Sequence, residues 1–166
     1  MPTLKSVDLL HLGGMHFDAS PSSGHPIAFD DRTSDLGGSP VETLLAALGS
    51  CSAMDVVSIA TKKRQRLHAY AIHVSGSQRD EYPQVFTEID VVHEVTGPDL
   101  AEAAIRRAIE LSATKYCPVN AMLSAGATVV HHRYVIHSTG AAAFEASGEV
   151  VATGPYARPD ILADQG

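Results

Sequence analysis

A run of apolar residues with a well-marked beginning is the strongest pattern along the chain. Ser39 suits the N-cap of a helix, Pro40 suits the first helical position, and Glu42 can bond back to the cap residue to complete a capping box. From residue 41 to about residue 64, apolar side chains occupy nearly every side of the helix that this start predicts. The pattern therefore predicts a long, buried central helix.

Alternating apolar and polar residues predict β-strands on both sides of this helix. Residues 69–76 and 86–95 alternate in this way and are joined by a short charged turn, which predicts a β-hairpin. Further strands are predicted at residues 4–11, 15–18 and 25–30 before the helix, and at residues 127–137 as the last strand.

A second helix is predicted between about residues 100 and 115, where apolar residues recur with helical spacing. Pro118 interrupts it directly after Cys117, because proline disfavours helical backbone at the preceding residue. A further helical turn is expected at residues 119–124. Residues 138–166 show no period, so we expect one domain over residues 1–137 and a C-terminal extension or mobile tail over residues 138–166.

Composition and charge restrict the class of protein. The chain has 45% hydrophobic and 19% charged residues, which is typical of a globular domain. Its formal net charge of -7 argues against binding to nucleic acid or to an anionic membrane surface. The N-terminal residues lack the pattern of a signal peptide, so a cytoplasmic location is expected. Two cysteines in that reducing compartment are either inert core residues or redox-active ones.

The nine histidines raise the question of a metal site. His131 and His132 are adjacent and therefore face opposite sides of a strand, which keeps them from sharing an ion. The sequence has no CxxC, HExxH or phosphate-binding glycine loop. We therefore expect neither a metal nor a cofactor.

The two cysteines lie in different surroundings. Cys51 is in the middle of the apolar helix, where a cysteine is ordinarily a small core residue. Cys117 lies between Lys115 and Pro118, near a cation and at a break in regular structure, where a thiolate can be favoured.

Two motifs resemble those of the OsmC/Ohr family. The stretch SPVETLLAALGSC, from Ser39 to Cys51, resembles the first cysteine motif, and KYCPV at residues 115–119 resembles the second. The resemblance covers roughly residues 4–137. It implies an α+β fold in which two central helices are wrapped by antiparallel sheets in an intertwined homodimer.

The resemblance also implies a chemistry. Cys51 is expected to attack a peroxide and to become a sulfenic acid, with which Cys117 then condenses to a disulfide. Organic hydroperoxides are the expected small-molecule substrate, and an external dithiol is the expected reductant.

Two departures from the family pattern leave an alternative open. Where the family's peroxidases carry a Glu after the helix-opening proline, this chain has Val41, and Glu42 lies one residue, or about 100° of helix, further on. The early turn that carries an Arg in those peroxidases reads Gly-Gly-Met at residues 13–15. Charged residues that could support the cysteines are Glu42, Arg79, Arg32 and Lys115. The alternative is a non-enzymatic dimer that binds a small hydrophobic ligand at its seam.

Overall fold

In a computed structural model the chain divides into two compact units, Met1–Leu44 and Leu45–Gly166. The structure describes residues 3–31, 33 and 35–152, with the backbone alone at 151 and 152. Each unit contains one β-sheet.

The first unit holds a three-stranded sheet of β1 (Val7–Gly13), β2 (His16–Pro21) and β3 (Ile27–Phe29) in sequence order. All pairs are antiparallel, with Leu9 opposite Ala19 and Phe17 opposite Phe29. Gly13 and Gly14 form the β1–β2 turn with φ of 117° and 57°, values that glycine adopts without steric cost. The three strands predicted before the helix are therefore confirmed, with shifted ends.

The predicted central helix is α1 (Pro40–Lys62), and the capping box is formed. The Glu42 amide donates to Ser39 Oγ at 3.2 Å, and the Ser39 amide donates to Glu42 Oε2 at 3.3 Å. By length and composition alone α1 could cross a membrane, a test that core helices of soluble proteins also pass.

Burial of α1 is one-sided within the single chain, which corrects the prediction of an all-round buried helix. The buried residues are Leu48, Gly49, Ser52, Val56 and Ala60, all on or near one face. Met54 on another face is 73% exposed. An apolar helix that is only partly covered in one chain leaves a hydrophobic surface for a further contact.

The second unit holds a four-stranded sheet in the order β4-β5-β6-β7. Its strands are β4 (Ala69–Gln78), β5 (Phe86–Pro98), β6 (Val129–Thr139) and β7 (Phe144–Ala152). The β4–β5 hairpin is antiparallel, as predicted.

β5 and β6 pair in parallel, with Ile89 opposite Val130, so the expectation of purely antiparallel sheets is wrong here. The reason is the connection between them. It carries α2 (Glu102–Leu111), a π-helical turn (Ser112–Tyr116) and α3 (Pro118–Leu123), a crossover long enough to return the chain to the same end of the sheet.

The sheet also continues past the expected domain end at residue 137. β6 runs to Thr139, and β7 pairs with it antiparallel, Tyr134 lying opposite Gly148. The placement of the extension or tail over residues 138–166 is therefore wrong for residues 138–152, while residues 153–166 lie outside the described part. β7 is rich in small residues, which give it a weak strand pattern in the sequence. At Gly148 a small residue is required, because a Cβ there would collide with the Tyr134 hydroxyl.

Two hydrophobic clusters stabilise the second unit. The larger contains Val56, Ala60, Val95, Leu100, Ile105, Ala108, Ile109, Tyr134 and Ile136. The smaller contains Leu48, Phe86, Ile89, Val91, Cys117 and Val130, with Cys51 packed against it. Both cysteines therefore border the smaller cluster, where α1 and the crossover meet the sheet.

Candidate functional site

Two structural features bring the cysteines together. Cys51 and Asp55 are one turn apart on α1 and so share a helix face. Cys117 follows the π-helical turn, whose wider spacing is closed by the Cys117 amide donating to the Ser112 carbonyl at 3.0 Å. Because Pro118 follows, Cys117 has extended backbone, with φ of -74° and ψ of 105°.

The sulfur atoms of Cys51 and Cys117 and a carboxylate oxygen of Asp55 all lie within 4.8 Å of one another. Both cysteines are reduced. Cys117 is 3% exposed, while Cys51 and Asp55 are half-buried. A disulfide needs sulfurs about 2.05 Å apart, so the pair has to close further, and side-chain rotation is the available motion.

The two thiols differ in their electrostatic surroundings. Burial raises the pKa of Cys117 to about 12, and a hydrogen bond with Cys51 acts in the same direction. The backbone amide of Asn120 donates to Cys117 Sγ at 3.3 Å, which offsets only part of the rise in the Cys117 pKa. Cys117 therefore remains a protonated thiol at neutral pH.

Asp55 is held in place by a serine pair. Ser112 Oγ donates to Asp55 Oδ2 at 3.0 Å, and the Ser112 and Ser52 hydroxyls are 3.3 Å apart. Both serines are fully buried. The carboxylate is thus oriented from the crossover side while it lies beside the two sulfurs.

A buried series of hydrogen bonds leads from the edge strand β4, along the core-facing side of the sheet, to the Cys117 region. Tyr70 Oη lies 2.7 Å from His93 Nδ1, and His93 Nε2 lies 3.1 Å from His132 Nδ1. His132 Nε2 lies 3.0 Å from Asn120 Oδ1. Both histidines and Asn120 have no exposed surface.

The hydrogen bonds of Asn120 decide which atom donates and which accepts in each hydrogen bond of this series. Asn120 Nδ2 donates to the Ala113 carbonyl at 2.7 Å, so Oδ1 is the atom that accepts from His132. Since His132 Nε2 then carries the hydrogen, its Nδ1 accepts from His93, and His93 Nδ1 accepts from the Tyr70 hydroxyl. The chain is fully satisfied only when both imidazoles are neutral.

Electrostatics agree with that assignment. Burial lowers the pKa of His93 to about 3, with His132 acting in the same direction. Burial lowers the pKa of His132 to about 4, assisted by His131. Burial also raises the pKa of Tyr70, which keeps its hydroxyl a donor.

These two histidines predict a loss of stability in mild acid. The unfolded histidines take up protons near their ordinary pKa of about 6.5, whereas the folded ones resist protonation until about pH 4 and below. Their contribution is therefore complete above about pH 6.5 and is lost as the pH falls from there toward 4 and 3. Urea unfolding at a series of pH values measures this slope.

The control for this pH dependence is His132→Gln, whose amide can still donate to Asn120 while carrying no titratable group. The variant is expected to show a shallower decline in unfolding free energy between pH 6.5 and 4. An equal slope in the variant and the wild type would contradict the assignment.

The residues predicted to support the cysteines have other partners. Glu42 is engaged in the capping box, and Arg79 Nε donates to the Pro83 carbonyl at 2.6 Å within the β4–β5 turn. Lys115 Nζ lies 5.2 Å from the centre of the Tyr116 ring. Arg32 lies outside the described residues. The structure thus places Cys51 near Cys117, with Asp55 as their charged neighbour.

The sequence pattern did not single out Asn120, Ser112, His93 or Tyr70. A signal was present in β5 and β6, where His93 and His132 fall on the inward, apolar positions of otherwise regular strands. A buried polar side chain at such a position requires a partner. Identifying that partner required the parallel register of the two strands. The prediction that His131 and His132 face opposite sides is confirmed: His131 contacts Glu88 and Glu149, whereas His132 is buried.

The chain belongs to the family of OsmC-like proteins, whose model matches residues 33–132. The protein YhfA of Escherichia coli strain K12 is 42% identical over 123 residues, which cover 74% of this chain and 92% of YhfA. The resemblance found in the two cysteine motifs is thereby confirmed.

Solved structures share the α+β fold with its two sheets. An OsmC-like protein from Mycoplasma pneumoniae has a TM-score of 0.72 at 17% identity, covering 82% of this chain and 99% of its own. An organic hydroperoxide resistance protein OsmC from Legionella pneumophila has a TM-score of 0.57 at 14% identity, covering 84% of this chain and 98% of its own. At these identities the likeness establishes the fold.

Proposed function

We propose that this protein is a thiol-dependent peroxidase that reduces organic hydroperoxides through a Cys51–Cys117 dithiol/disulfide cycle. The observation that carries the proposal is the meeting of two reduced cysteines, distant in sequence, within 4.8 Å at the edge of a hydrophobic cluster. Two inert core cysteines can lie anywhere in the core, whereas a peroxidatic and a resolving cysteine must lie close enough to form a disulfide.

The environment of Cys117 supports the assignment of roles. Because Cys117 keeps its proton at neutral pH, it suits the resolving residue, and the more accessible Cys51 suits the peroxidatic one. The Cys51 thiolate attacks the distal oxygen of ROOH, the O–O bond breaks, and the leaving alkoxide takes a proton to become ROH. Cys51 is then a sulfenic acid.

In the second step the Cys117 sulfur attacks the Cys51 sulfenic sulfur. The S–O bond breaks, and the hydroxyl leaves as water with the proton from Cys117, which forms the disulfide. An external dithiol returns both residues to thiols and is itself oxidised to a disulfide. Such a cycle requires a reducing compartment, consistent with the expected cytoplasmic location.

The preference for organic hydroperoxides and the homodimer belong to the same proposal. Met54 and Val57 on α1 are 73% and 42% exposed in the single chain, and a second copy packed there would cover them. An apolar seam beside Cys51 suits the alkyl part of a hydroperoxide. The Legionella pneumophila relative, named for organic hydroperoxide resistance, is consistent with that substrate class and with a role in the oxidative stress response.

One observation favours the alternative of a non-enzymatic dimer that binds a hydrophobic ligand. Glu42 and Arg79, which were expected to support the cysteines, bond to Ser39 and to the Pro83 carbonyl, and the charged side chain beside the two sulfurs is the acidic Asp55. Under this alternative the apolar seam binds ligand and the cysteines take no part.

Peroxide-consumption kinetics separate the two functions. The protein is supplied with a dithiol and either cumene hydroperoxide or hydrogen peroxide, and peroxide loss is followed against dithiol alone. We expect protein-dependent consumption that is faster with cumene hydroperoxide, together with loss of two hydrogens by mass spectrometry when reductant is withheld. Consumption no faster than with dithiol alone would reject the peroxidase and favour the ligand-binding dimer.

A further inference from the structure

We propose that the reduced protein binds a zinc ion through Cys51, Asp55 and Cys117. The three ligand atoms come from one face of α1 and from the break between the π-helical turn and α3, and they lie within 4.8 Å of one another. The sequence has no CxxC or HExxH motif, so the motifs of the sequence did not predict this group of potential ligands.

The spacing of the trio is close to that of a tetrahedral site. Zinc lies about 2.3 Å from cysteine sulfur and about 2.0–2.2 Å from carboxylate oxygen, which places neighbouring ligand atoms roughly 3.5–3.8 Å apart. Ligand atoms within 4.8 Å of one another therefore need to approach by about 1.3 Å at most. We expect side-chain rotation to provide this approach.

The choice of metal follows from the donor set. Zinc displaces the thiol protons to solvent as it binds. The two resulting thiolates select thiophilic ions such as zinc and disfavour magnesium and calcium, which require oxygen ligands. Three protein ligands leave the fourth position of a tetrahedral ion to water. Asp55 also borders an open groove of about 340 Å³ lined by Ser58, Lys62 and Tyr116, which gives solvent a route to that position.

Surrounding hydrogen bonds already orient two of the three ligands. Ser112 Oγ donates to Asp55 Oδ2 at 3.0 Å, and the Asn120 amide donates to Cys117 Sγ at 3.3 Å. Hydrogen bonds of this kind to metal-bound carboxylate and sulfur atoms fix ligand geometry and raise metal affinity. The Asp55 carboxylate adds a negatively charged oxygen ligand to the two sulfurs, which suits a divalent cation.

Zinc binding and disulfide formation use the same sulfurs and therefore exclude each other. A Cys51–Cys117 disulfide has no thiolate to donate, so the metal site exists only in the reduced protein. The inference holds whether or not the protein reduces peroxides, because metal binding is measured without peroxide.

Zinc titration of the full-length reduced protein, in competition with a chromophoric chelator under anaerobic conditions, tests the proposal. We expect one equivalent to bind. Co²⁺ in place of zinc is expected to produce a near-ultraviolet thiolate-to-cobalt charge-transfer band, which binding to surface histidines cannot produce. Asp55→Asn keeps a hydrogen-bond acceptor for Ser112, and because it removes a ligand it should weaken zinc binding by about 10-fold or more.

Matched variants make the result decisive. Cys117→Ser should remove tight zinc binding and weaken the cobalt band, whereas Glu81→Gln, which changes an exposed carboxylate in the β4–β5 turn, should leave both unchanged. Circular dichroism of each variant verifies folding. No binding to the reduced wild type, or equal affinity in the wild type, Asp55→Asn and Cys117→Ser, would overturn the proposal. Failure of peroxide turnover alone leaves it intact.

Discussion

Replacing Cys51 by serine is expected to abolish dithiol-dependent consumption of cumene hydroperoxide, with a loss on the order of 10³-fold or more. A serine hydroxyl at neutral pH is far less nucleophilic than a thiolate and cannot form a sulfenic acid. The measurement is the rate of peroxide loss at saturating dithiol, compared with the wild type at equal protein concentration. The serine hydroxyl can still form a hydrogen bond with Cys117, so the variant should unfold at nearly the wild-type temperature.

Cys117→Ser is the matched control because it removes the second thiol and retains the first. It is expected to reduce one equivalent of peroxide and to accumulate the Cys51 sulfenic acid, which a sulfenic-acid-specific reagent traps and mass spectrometry detects. Equal turnover by wild type and Cys51→Ser would place the chemistry elsewhere. Trapping on Cys117 in the Cys51→Ser protein would reverse the proposed roles.

Replacing His132 by alanine is expected to destabilise the second unit by about 3–5 kcal/mol. The change leaves a cavity at a fully buried position and deprives Asn120 Oδ1 and His93 Nε2 of their partners. Both unpaired groups stay away from water, so each carries its desolvation cost. Urea unfolding at pH 7.5 measures the loss, and thermal unfolding should show a midpoint lower by roughly 10 °C.

His137→Ala on the same strand is the control, since its side chain is 34% exposed and contacts Glu94 and Glu145 at the surface. It should change the unfolding free energy by less than about 0.5 kcal/mol. A loss for His132→Ala no greater than that of His137→Ala would show that the buried chain of hydrogen bonds contributes little to stability.

The local elements were largely predictable because their signals lie within a few residues. Ser39, Pro40 and Glu42 mark the start of α1, and the structure forms the capping box that they predict. The alternation of β4 and β5 and the turn between them predict their hairpin for the same reason. The cysteine motifs were also readable, because each is contiguous and the family resemblance supplied the pairing of Cys51 with Cys117.

Two features were not predicted from the sequence because they depend on contacts between distant residues. The weak pattern of β7 follows from small residues that fit against Tyr134 of β6, a requirement that exists only once the strands are paired. The helix predicted through residue 115 ends as a π-helical turn. That turn is coupled to the Asn120 side chain, which bonds back to the Ala113 carbonyl.

The sequence by itself determined the family, the two thiols and every element except β7 and the π-helical turn, because hydrophobic period, capping and motif spacing are local properties of a chain. Only the tertiary structure decided which charged and polar groups surround those thiols. The parallel register of β5 and β6 places His93 beside His132, and the crossover places Ser112 and Cys117 beside Asp55 of α1. These contacts join residues that are far apart in the sequence. They depend on strand register and on the packing of the core, which short sequence patterns do not specify.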